Sequence, residues 1–413
     1  MKIAKKILII IINLITIILS LFIKKTDKIC VFGSWFGKNF SDNSKYLYLY
    51  LNKNKEKYGI EKLVWITDSD KVYNLLNSNG FDVEKRWHIK SIIYHLKAKN
   101  HFICQAPNDI NSYFSAKSNR IQLWHGVGPK KVSDLNEVPN INSFKYKLIY
   151  IIRHISSPGL WYKYKFLSTS KFVTNEVHKF PFRLWENEVI EANYPRNIYL
   201  SLDETDKKYI NCLSKNELEI KQLINNVKND KNIILYVPTY RNDAIIENNK
   251  ETSYPLNIQN EDEFKMFIDF INDNNILFFS KFHFAGDLSI VNNNENFYNL
   301  DENFDIYTIL NDIDLLLTDY SSIYSDYLFI DKPIIFYVYD IEIYKNNDKG
   351  FICDFNSITP GDKAYEIEGL KEKIIYNLNN DDYFDDREKI KKLYFDLNIN
   401  DTFESLLKKI NKK

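Results

Sequence analysis

The chain has 413 residues, and its 55 Lys and Arg balance 55 Asp and Glu, so the formal net charge is zero. Because a single hydrophobic core stops growing at roughly 250–300 residues, this length predicts two domains. The charge balance excludes nucleic-acid binding through a global basic field, so an anionic ligand must be held at a local site.

An apolar segment without charges opens the chain, from Ile7 to Ile23, and a lysine pair flanks it on each side. Its helical length is roughly 25 Å, which is short for a bilayer core of about 30 Å. Asn13, Thr16 and Ser20 would share one helical face, as expected for a helix that lies in the membrane interface or docks on its own protein. We therefore predict a retained membrane helix at 1–27, lying on the cytoplasmic face in preference to spanning. A cleaved signal peptide and a buried core helix are the alternatives.

Short apolar runs then alternate with helix-length stretches, which is typical of parallel α/β sheets. One series begins with ICVFGSW after Lys28, and a second begins at Asn232–Val237, beyond a polar, charged segment at 201–230. The sequence therefore predicts two doubly wound Rossmann-like domains, at 28–205 and 206–413, with helices at the C-terminus. The other predicted strands are Leu63–Thr67, Asn100–Gln105, Arg120–Trp124, Phe166–Ser168, Ile276–Lys281, Leu315–Thr318 and Pro333–Tyr337.

Polar residues directly after such strands lie at the carboxyl edge of the sheet, where ligands bind. In IQLWHGVGPKKV, His125 follows an apolar run and precedes Gly126 and the pair Lys130–Lys131. An imidazole can act as a general base near neutral pH, glycine permits close backbone approach, and lysines can hold phosphate. The alternative is a loop histidine beside a solvated basic pair.

Two further strand ends carry candidate residues. In YVPTYR, Thr239 and Arg241 follow a strand, and the arginine could form a forked contact with phosphate or a surface ion pair. In KFHF, Lys281 and His283 are two positions apart, so they would share one face of an extended segment. For His283, a position at the edge of the core is the alternative interpretation.

The string TDYSSIYSDYLFIDKPIIFYVYD contains the most informative strand end. An apolar run enters Thr318, Asp319, Ser321 and Ser322, and a helix is predicted to begin there. Hydroxyl groups and unpaired backbone N–H groups at such a point could bind a pyrophosphate. Simple capping of the helix by Asp319 or Ser321 is the alternative.

That string closely resembles the C-terminal signature of the CDP-glycerol:poly(glycerophosphate) glycerophosphotransferase family. Five further strings agree in order: FGSWFGKNFSDNSKYLYLYL matches the family's opening block, WHGVGPKK is similar to WHGTPLKK, NYPRN to GYPRND, YVPTYR to YAPTWR, and KFHF to KLHP. The resemblance covers about Lys28 to Gly361. It implies a two-domain GT-B-like fold with a C-terminal CDP site and an N-terminal membrane-binding part.

The resemblance also implies roles for individual residues. His125 would be the essential histidine on the acceptor side, and His283 a second active-site histidine. Residues implied at the donor and its phosphates are Arg241, Thr239, Lys281, Thr318, Ser321 and Ser322, with Asp319 and Asp326 organising that loop. Residues implied on the acceptor side or its loops are Gly126, Lys130, Arg196 and Asn43. Val127–Gly128, Phe284 and Asn193 depart from the family pattern, which leaves the polyol and the acceptor open.

We therefore expect a membrane-associated transferase, facing the cytoplasm, that moves a polyol phosphate from a CDP-polyol to a lipid-linked teichoic acid or capsular acceptor and releases CMP. No cofactor or divalent ion is expected, because the cysteines show no zinc pattern and the Asp-x-Asp strings at 68–70 and 312–314 are weakly placed. A nucleotide-sugar glycosyltransferase of the same fold is the first alternative. A membrane-bound scaffold without activity is the second.

Overall fold

The computed structural model of the chain describes residues 2–132, 143–144, 148, 159, 162–209, 212–239, 254–281, 294–347, 350–395 and 402–411. The chain divides into two compact units. Unit 1 contains Met1–His125, Leu135–Cys212 and Leu397–Lys413, and unit 2 contains Gly126–Asp134 and Leu213–Asp396. The main division at 212/213 lies close to the boundary expected at 205/206. Residues 397–413 group with unit 1, although the sequence suggested the second domain.

Unit 1 is built on a sheet of seven parallel strands in the order β3-β2-β1-β4-β5-β6-β7. The strand order reverses between β1 and β4, and ligands bind beside such a switch point in doubly wound folds. The strands are β1 (Thr26–Phe32), β2 (Lys62–Thr67), β3 (Val83–Lys85), β4 (Ala98–Ile103), β5 (Asn119–Gln122), β6 (Lys163–Ser168) and β7 (Val189–Glu191).

One helix precedes the first strand, four lie between strands and two follow the last strand, among the residues that the structure describes. They are α1 (Lys2–Phe22), α2 (Asp42–Lys53), α3 (Asp70–Ser78), α4 (Ile89–Lys97), α5 (Lys179–Phe182), α6 (Pro195–Leu200) and α7 (Glu204–Tyr209), and a π-helical turn at Val173–His178 leads into α5. The helix α2 begins at the switch point with its first turn buried, which brings its N-terminal side chains to the carboxyl edge of the sheet.

The helix α1 docks on unit 1 through its polar stripe. Asn13 and Thr16 are each 1% exposed and Ser20 is fully buried, so the prediction that they share one face is confirmed. The Asn13 Oδ1 atom accepts a hydrogen bond from the Gly159 N–H at 2.9 Å, and the Lys117 ammonium donates to the Ser20 carbonyl at 3.1 Å. Within the residues that the structure describes, no helix has the combined length and apolarity needed to cross a membrane.

Unit 2 is built on six parallel strands in the order β10-β9-β8-β11-β12-β13. The strands are β8 (Asn232–Val237), β9 (Ile276–Ser280), β10 (Phe297–Asn299), β11 (Leu315–Thr318), β12 (Ile334–Tyr337) and β13 (Asp362–Ala364). The helices are α8 (Lys215–Val227), α9 (Glu261–Asp273), α10 (Ile323–Tyr327), α11 (Ile341–Asn347), α12 (Phe355–Ile358), α13 (Ile367–Asn379) and α14 (Phe384–Tyr394), and α15 (Phe403–Asn411) belongs to unit 1.

The central strands of unit 2 each contain a continuous apolar run. Every residue of β9, β11 and β12 is buried, and Phe264 and Leu370 from α9 and α13 pack into the same core. A parallel strand with both faces covered needs such a continuous apolar run. These buried strands therefore hold the polar residues that follow them in fixed positions at the edge of the sheet.

Candidate functional site

The first group of site residues lies at the carboxyl edge of the sheet in unit 1. His125 follows β5 by two residues, and its Nδ1 atom is 3.2 Å from the carbonyl oxygen of Cys104, which follows β4. A carbonyl can only accept a hydrogen bond, so Nδ1 carries the proton in the neutral ring. The lone pair of Nε2 is then available to accept a proton from a substrate.

The electrostatic surroundings keep this ring neutral. Burial lowers the pKa of His125 below its ordinary value of 6.5, the Asp42 carboxylate and the Cys104 carbonyl raise it, and Arg196 lowers it. Burial also lowers the pKa of the neighbouring His178, to about 3. Both imidazoles are therefore uncharged at neutral pH, which is the protonation state that a general base requires.

An ion pair with very little solvent exposure supports the loop that carries His125. Arg196 Nη1 is 2.7 Å from Asp42 Oδ1, and the two side chains are 3% and 5% exposed. The Asn43 amide donates to the carbonyls of Leu123 and Trp124 at 3.3 and 2.8 Å, and its Oδ1 accepts from the Arg196 N–H at 3.1 Å. Asn43, Arg196 and His125 are thus brought together. Asn43 holds the backbone just before the histidine, and Arg196 holds Asn43 and Asp42.

Backbone strain concentrates in the same place. Trp35, Phe36, Asp42 and Trp124 all have left-handed φ angles, of 42°, 59°, 66° and 61°. A residue with a Cβ atom resists this region, and such strain persists where the surrounding structure holds it, often at functional sites. The strain therefore singles out the loop after β1 and the residue before His125.

The second group lies at the ends of β8 and β11 in unit 2. The Asp319 carboxylate accepts from the Thr239 N–H at 2.8 Å and from the Tyr320 N–H at 2.5 Å. The Thr318 hydroxyl donates to the Val237 carbonyl at 2.8 Å. Asp319 and Thr318 thus tie the two strand ends together and leave the partly exposed Ser321 and Ser322 ahead of the short helix α10.

The glycine-containing loop after His125 packs on these residues. A Cβ atom on Gly128 would be 3.1 Å from the Cβ of Ser322, so only glycine fits here without displacing a neighbour. The Ser325 hydroxyl donates to the Val127 carbonyl at 2.6 Å. Lys130 bridges to Phe351 in antiparallel pairing, and Gly126 has a φ of 117°. Gly128 and Ser322 are therefore in direct van der Waals contact.

Other residues of the second group have different surroundings. The Lys281 ammonium is buried and donates to the Phe304 carbonyl at 2.5 Å. Burial lowers the pKa of Lys281, and nearby carboxylates raise this pKa, Asp305 most strongly. Asp326 is buried and accepts from the Tyr307 hydroxyl at 2.8 Å. Both contacts are internal to unit 2. Arg241 and His283 lie outside the residues that the structure describes.

Several supporting residues were not identified from the sequence. Asp42 lies in the opening block, but nothing in the pattern distinguishes it from a residue of the first turn of a helix. Asp109 accepts hydrogen bonds from four backbone N–H groups, three of them at Cys104, Gln105 and Ala106, and so fixes the carbonyl that holds His125.

Within the described residues, no group of three or more His, Cys, Asp or Glu could hold a metal ion.

Comparison with known proteins gives a consistent result. The profile of the CDP-Glycerol:Poly(glycerophosphate) glycerophosphotransferase family matches residues 15–411. The chain is 27% identical over 353 residues to a teichoic acid poly(glycerol phosphate) polymerase of Bacillus spizizenii, covering 85% of this chain and 84% of that protein. It is 26% identical over 348 residues to a teichoic acid glycerol-phosphate transferase of Staphylococcus aureus, covering 83% and 82%.

The fold also matches a solved structure. The wall teichoic acid polymerase TagF superposes with a TM-score of 0.67 at 22% identity, over 93% of this chain and 87% of that chain. At this identity the likeness establishes the fold alone. The prediction of an α/β fold with two parallel sheets is confirmed, and the fold is similar to that of TagF.

Proposed function

This chain belongs to the CDP-glycerol:poly(glycerophosphate) glycerophosphotransferase family, and we propose that it transfers a polyol phosphate, glycerol phosphate first of all, from a CDP-activated donor to a lipid-linked surface-polymer acceptor. The observation that carries the proposal is the geometry of His125. The Nδ1–H group of His125 donates a hydrogen bond to the Cys104 carbonyl. Nε2 is therefore the nitrogen that can act as a base, beside the strained loop of unit 1.

In the proposed reaction, the acceptor oxygen attacks the β-phosphorus of the donor and forms a new P–O bond. The bond from that phosphorus to the bridging oxygen breaks, and CMP leaves with the oxygen and its electron pair. The acceptor proton passes to Nε2 of His125, and the Asp42 carboxylate stabilises the imidazolium that forms. Alignment and charge stabilisation supply most of the catalysis in such transfers.

Unit 2 would bind the donor. Asp319 and Thr318 fix the strand ends, so that Ser321 and Ser322 offer hydroxyl and backbone N–H groups to the phosphates. Arg241 and His283 would add positive charge and hydrogen bonds there as CMP departs. Three further residues would act indirectly, with no divalent ion required. Lys281 would act through the Phe304 carbonyl, Asp326 through the Tyr307 hydroxyl and Lys130 through its backbone pairing with Phe351.

A panel of donors tests the reaction class. Purified full-length protein is incubated with an acceptor preparation and with CDP-glycerol, CDP-ribitol or a UDP-sugar, with and without EDTA. Release of CMP from a CDP-polyol, undiminished by EDTA, is expected. Release of UDP from a UDP-sugar would instead establish the glycosyltransferase alternative.

The histidine variants test the mechanism and the scaffold alternative. His125→Asn removes the base, so kcat should fall about 10²–10⁴-fold. His88→Asn is the matched control, since His88 is exposed in unit 1 and its ring contacts Glu84. Equal activity of the two variants would remove His125 from the mechanism.

We also propose that α1 lies on the cytoplasmic leaflet. Its polar stripe faces the protein, so its apolar side chains face outward, and Phe22 is 84% exposed. Exposed apolar surface of this extent marks an interaction site, and an in-plane helix inserts such a face into the headgroup region. The outward residues with exposures of 41–84% are Ile7, Leu8, Ile11, Leu14, Ile15, Ile18, Leu19, Leu21 and Phe22.

Vesicle flotation tests the membrane proposal. Wild-type protein should float with phospholipid vesicles, and Leu14→Glu together with Ile18→Glu should shift most of it to the unbound fraction. Leu218→Glu is the matched control, because Leu218 is 47% exposed on α8 of unit 2. Unchanged flotation of the double variant would exclude this face of α1 as the membrane contact.

A further inference from the structure

The loop after β1 presents two aromatic side chains to solvent. Trp35 and Phe36 are 36% and 41% exposed, whereas Phe32 and Trp65 nearby in the same unit are fully buried. Both exposed residues adopt left-handed backbone, with φ angles of 42° and 59°. A residue with a Cβ atom resists this conformation, so the surrounding residues must hold it in place.

Hydrogen bonds from three directions hold this loop. The Phe36 N–H donates to Asp109 at 2.8 Å, and its carbonyl accepts from Arg86 Nη2 at 2.6 Å. The Trp35 indole N–H donates to the buried Asp42 carboxylate at 3.2 Å. The Trp35 indole and the Phe36 backbone are therefore held before any ligand arrives, which reduces the entropy lost on binding.

The fixed indole lies beside the proposed base. The ring centroids of Trp35 and His125 are 6.1 Å apart, with an angle of 54° between the planes. A hydroxyl group that gives its proton to His125 must approach Nε2 to about 3 Å. The chemical group that carries this hydroxyl is then within van der Waals reach of Trp35.

The chemistry of the rings indicates which group they would bind. An aromatic face has a negative electrostatic potential, so it attracts C–H groups and cations and disfavours a phosphate. The Arg86 guanidinium already donates to the Asp68 carboxylate and to loop carbonyls, so it is not the group that would bind an anion here. Lys38 is the exposed cation of the loop, and it could meet an anionic group further along the acceptor.

We propose that Trp35 and Phe36 form an acceptor subsite that stacks against an uncharged sugar ring bearing the attacked hydroxyl. This inference rests on the proposed function, because it takes His125 as the base. It assigns specificity to a sugar-terminated acceptor over a chain that ends in polyol phosphate. Asp42 then has two roles, since it orients the indole and also faces the histidine.

Two measurements test the subsite, with a water-soluble alkyl disaccharide and oligo(glycerol phosphate) as probes. Saturation-transfer NMR detects binding without turnover, and steady-state kinetics gives KM for each acceptor and for CDP-glycerol. Trp35→Ala should clearly reduce the disaccharide signal and raise the disaccharide KM about five- to tenfold, which corresponds to about 1–1.4 kcal/mol. The KM for CDP-glycerol should stay within about twofold of the wild-type value.

The remaining variants distinguish the contribution of the Trp35 ring from that of its hydrogen bond to Asp42. Trp35→Phe keeps an aromatic face and should retain most of the disaccharide signal, although it loses the bond to Asp42. Trp185→Ala is the control, because Trp185 is 65% exposed in the same unit. An unchanged signal in Trp35→Ala, or an equal loss for oligo(glycerol phosphate), overturns the subsite. If instead the disaccharide binds through Trp35 but no CMP forms from CDP-glycerol, only the proposed function fails.

Discussion

Acid should destabilise unit 1 through His95, which is fully buried on α4. Its Nδ1 atom is 2.7 Å from the Ser91 carbonyl, and its Nε2 atom accepts from the Asn111 N–H at 3.1 Å. If the ring took up a second proton, Nε2 would become a donor and would face the Asn111 N–H, which is also a donor. Burial is the main cause that lowers the pKa of His95 to about 4, with Lys25 and Arg86 lowering it further and the Ser91 carbonyl raising it.

The sign and size of the effect follow from proton linkage. The folded pKa is about 4 and the ordinary value is 6.5, so the unfolded chain takes up the proton first as the pH falls. The stabilisation is complete above about pH 6.5 and is lost as the pH drops toward 4. The total is about 3 kcal/mol, of which about 2 kcal/mol is lost at pH 5.

Tryptophan fluorescence can follow this loss in unit 1 alone, because all six tryptophans lie between residues 35 and 185. Urea unfolding at pH 7.5 and pH 5 is measured for wild type, His95→Gln and His88→Gln. Glutamine can still accept from the Asn111 N–H but does not titrate. His95→Gln should therefore lose about 2 kcal/mol less than wild type over this range, and the exposed His88 control should behave as wild type. Equal losses in all three proteins would refute the reasoning.

Two further substitutions test the two site groups. Asp42→Asn removes the carboxylate that raises the pKa of His125, so the acidic limb of the pH profile of kcat/KM should move to lower pH; a limb that does not move contradicts this role. Gly128→Ala places a Cβ atom 3.1 Å from that of Ser322, so kcat/KM for CDP-glycerol should fall several-fold. Gly369→Ala on α13, whose nearest neighbour would be 3.9 Å away, should leave it unchanged, and equal effects would count against the Gly128 contact.

The central strands of unit 2 could be predicted from the sequence because each contains a continuous apolar run. The strand predicted at Asn232–Val237 is observed with those bounds, and Leu315–Thr318 likewise. The edge strands were missed, since three residues carry no periodic pattern. The predicted strand Arg120–Trp124 ends earlier, at Gln122, and Trp124 adopts a left-handed φ. The missed strands are Val83–Lys85, Val189–Glu191, Phe297–Asn299 and Asp362–Ala364.

From the residue pattern alone, candidate site residues could be recognised only where they follow strands; Asn43 and Arg196 were implied by the family resemblance. His125 and Asp319 lie at strand ends, and a polar residue after an apolar run is visible in sequence. Their supports depend on contacts between distant segments, as when Asp42 meets Arg196 or Asp109 holds the Cys104 turn. Short-range patterns contain no information about such pairs, so a structure was needed to find them.

Direct identification of the products is the most decisive test of the proposed transfer. Purified protein is given CDP-glycerol and a lipid-linked acceptor, and phosphorus NMR follows the reaction while chromatography quantifies the nucleotide. A new phosphodiester signal should grow in equal amount with CMP and should be absent with His125→Asn. A product that contains no new phosphodiester, or release of CDP in place of CMP, would contradict it.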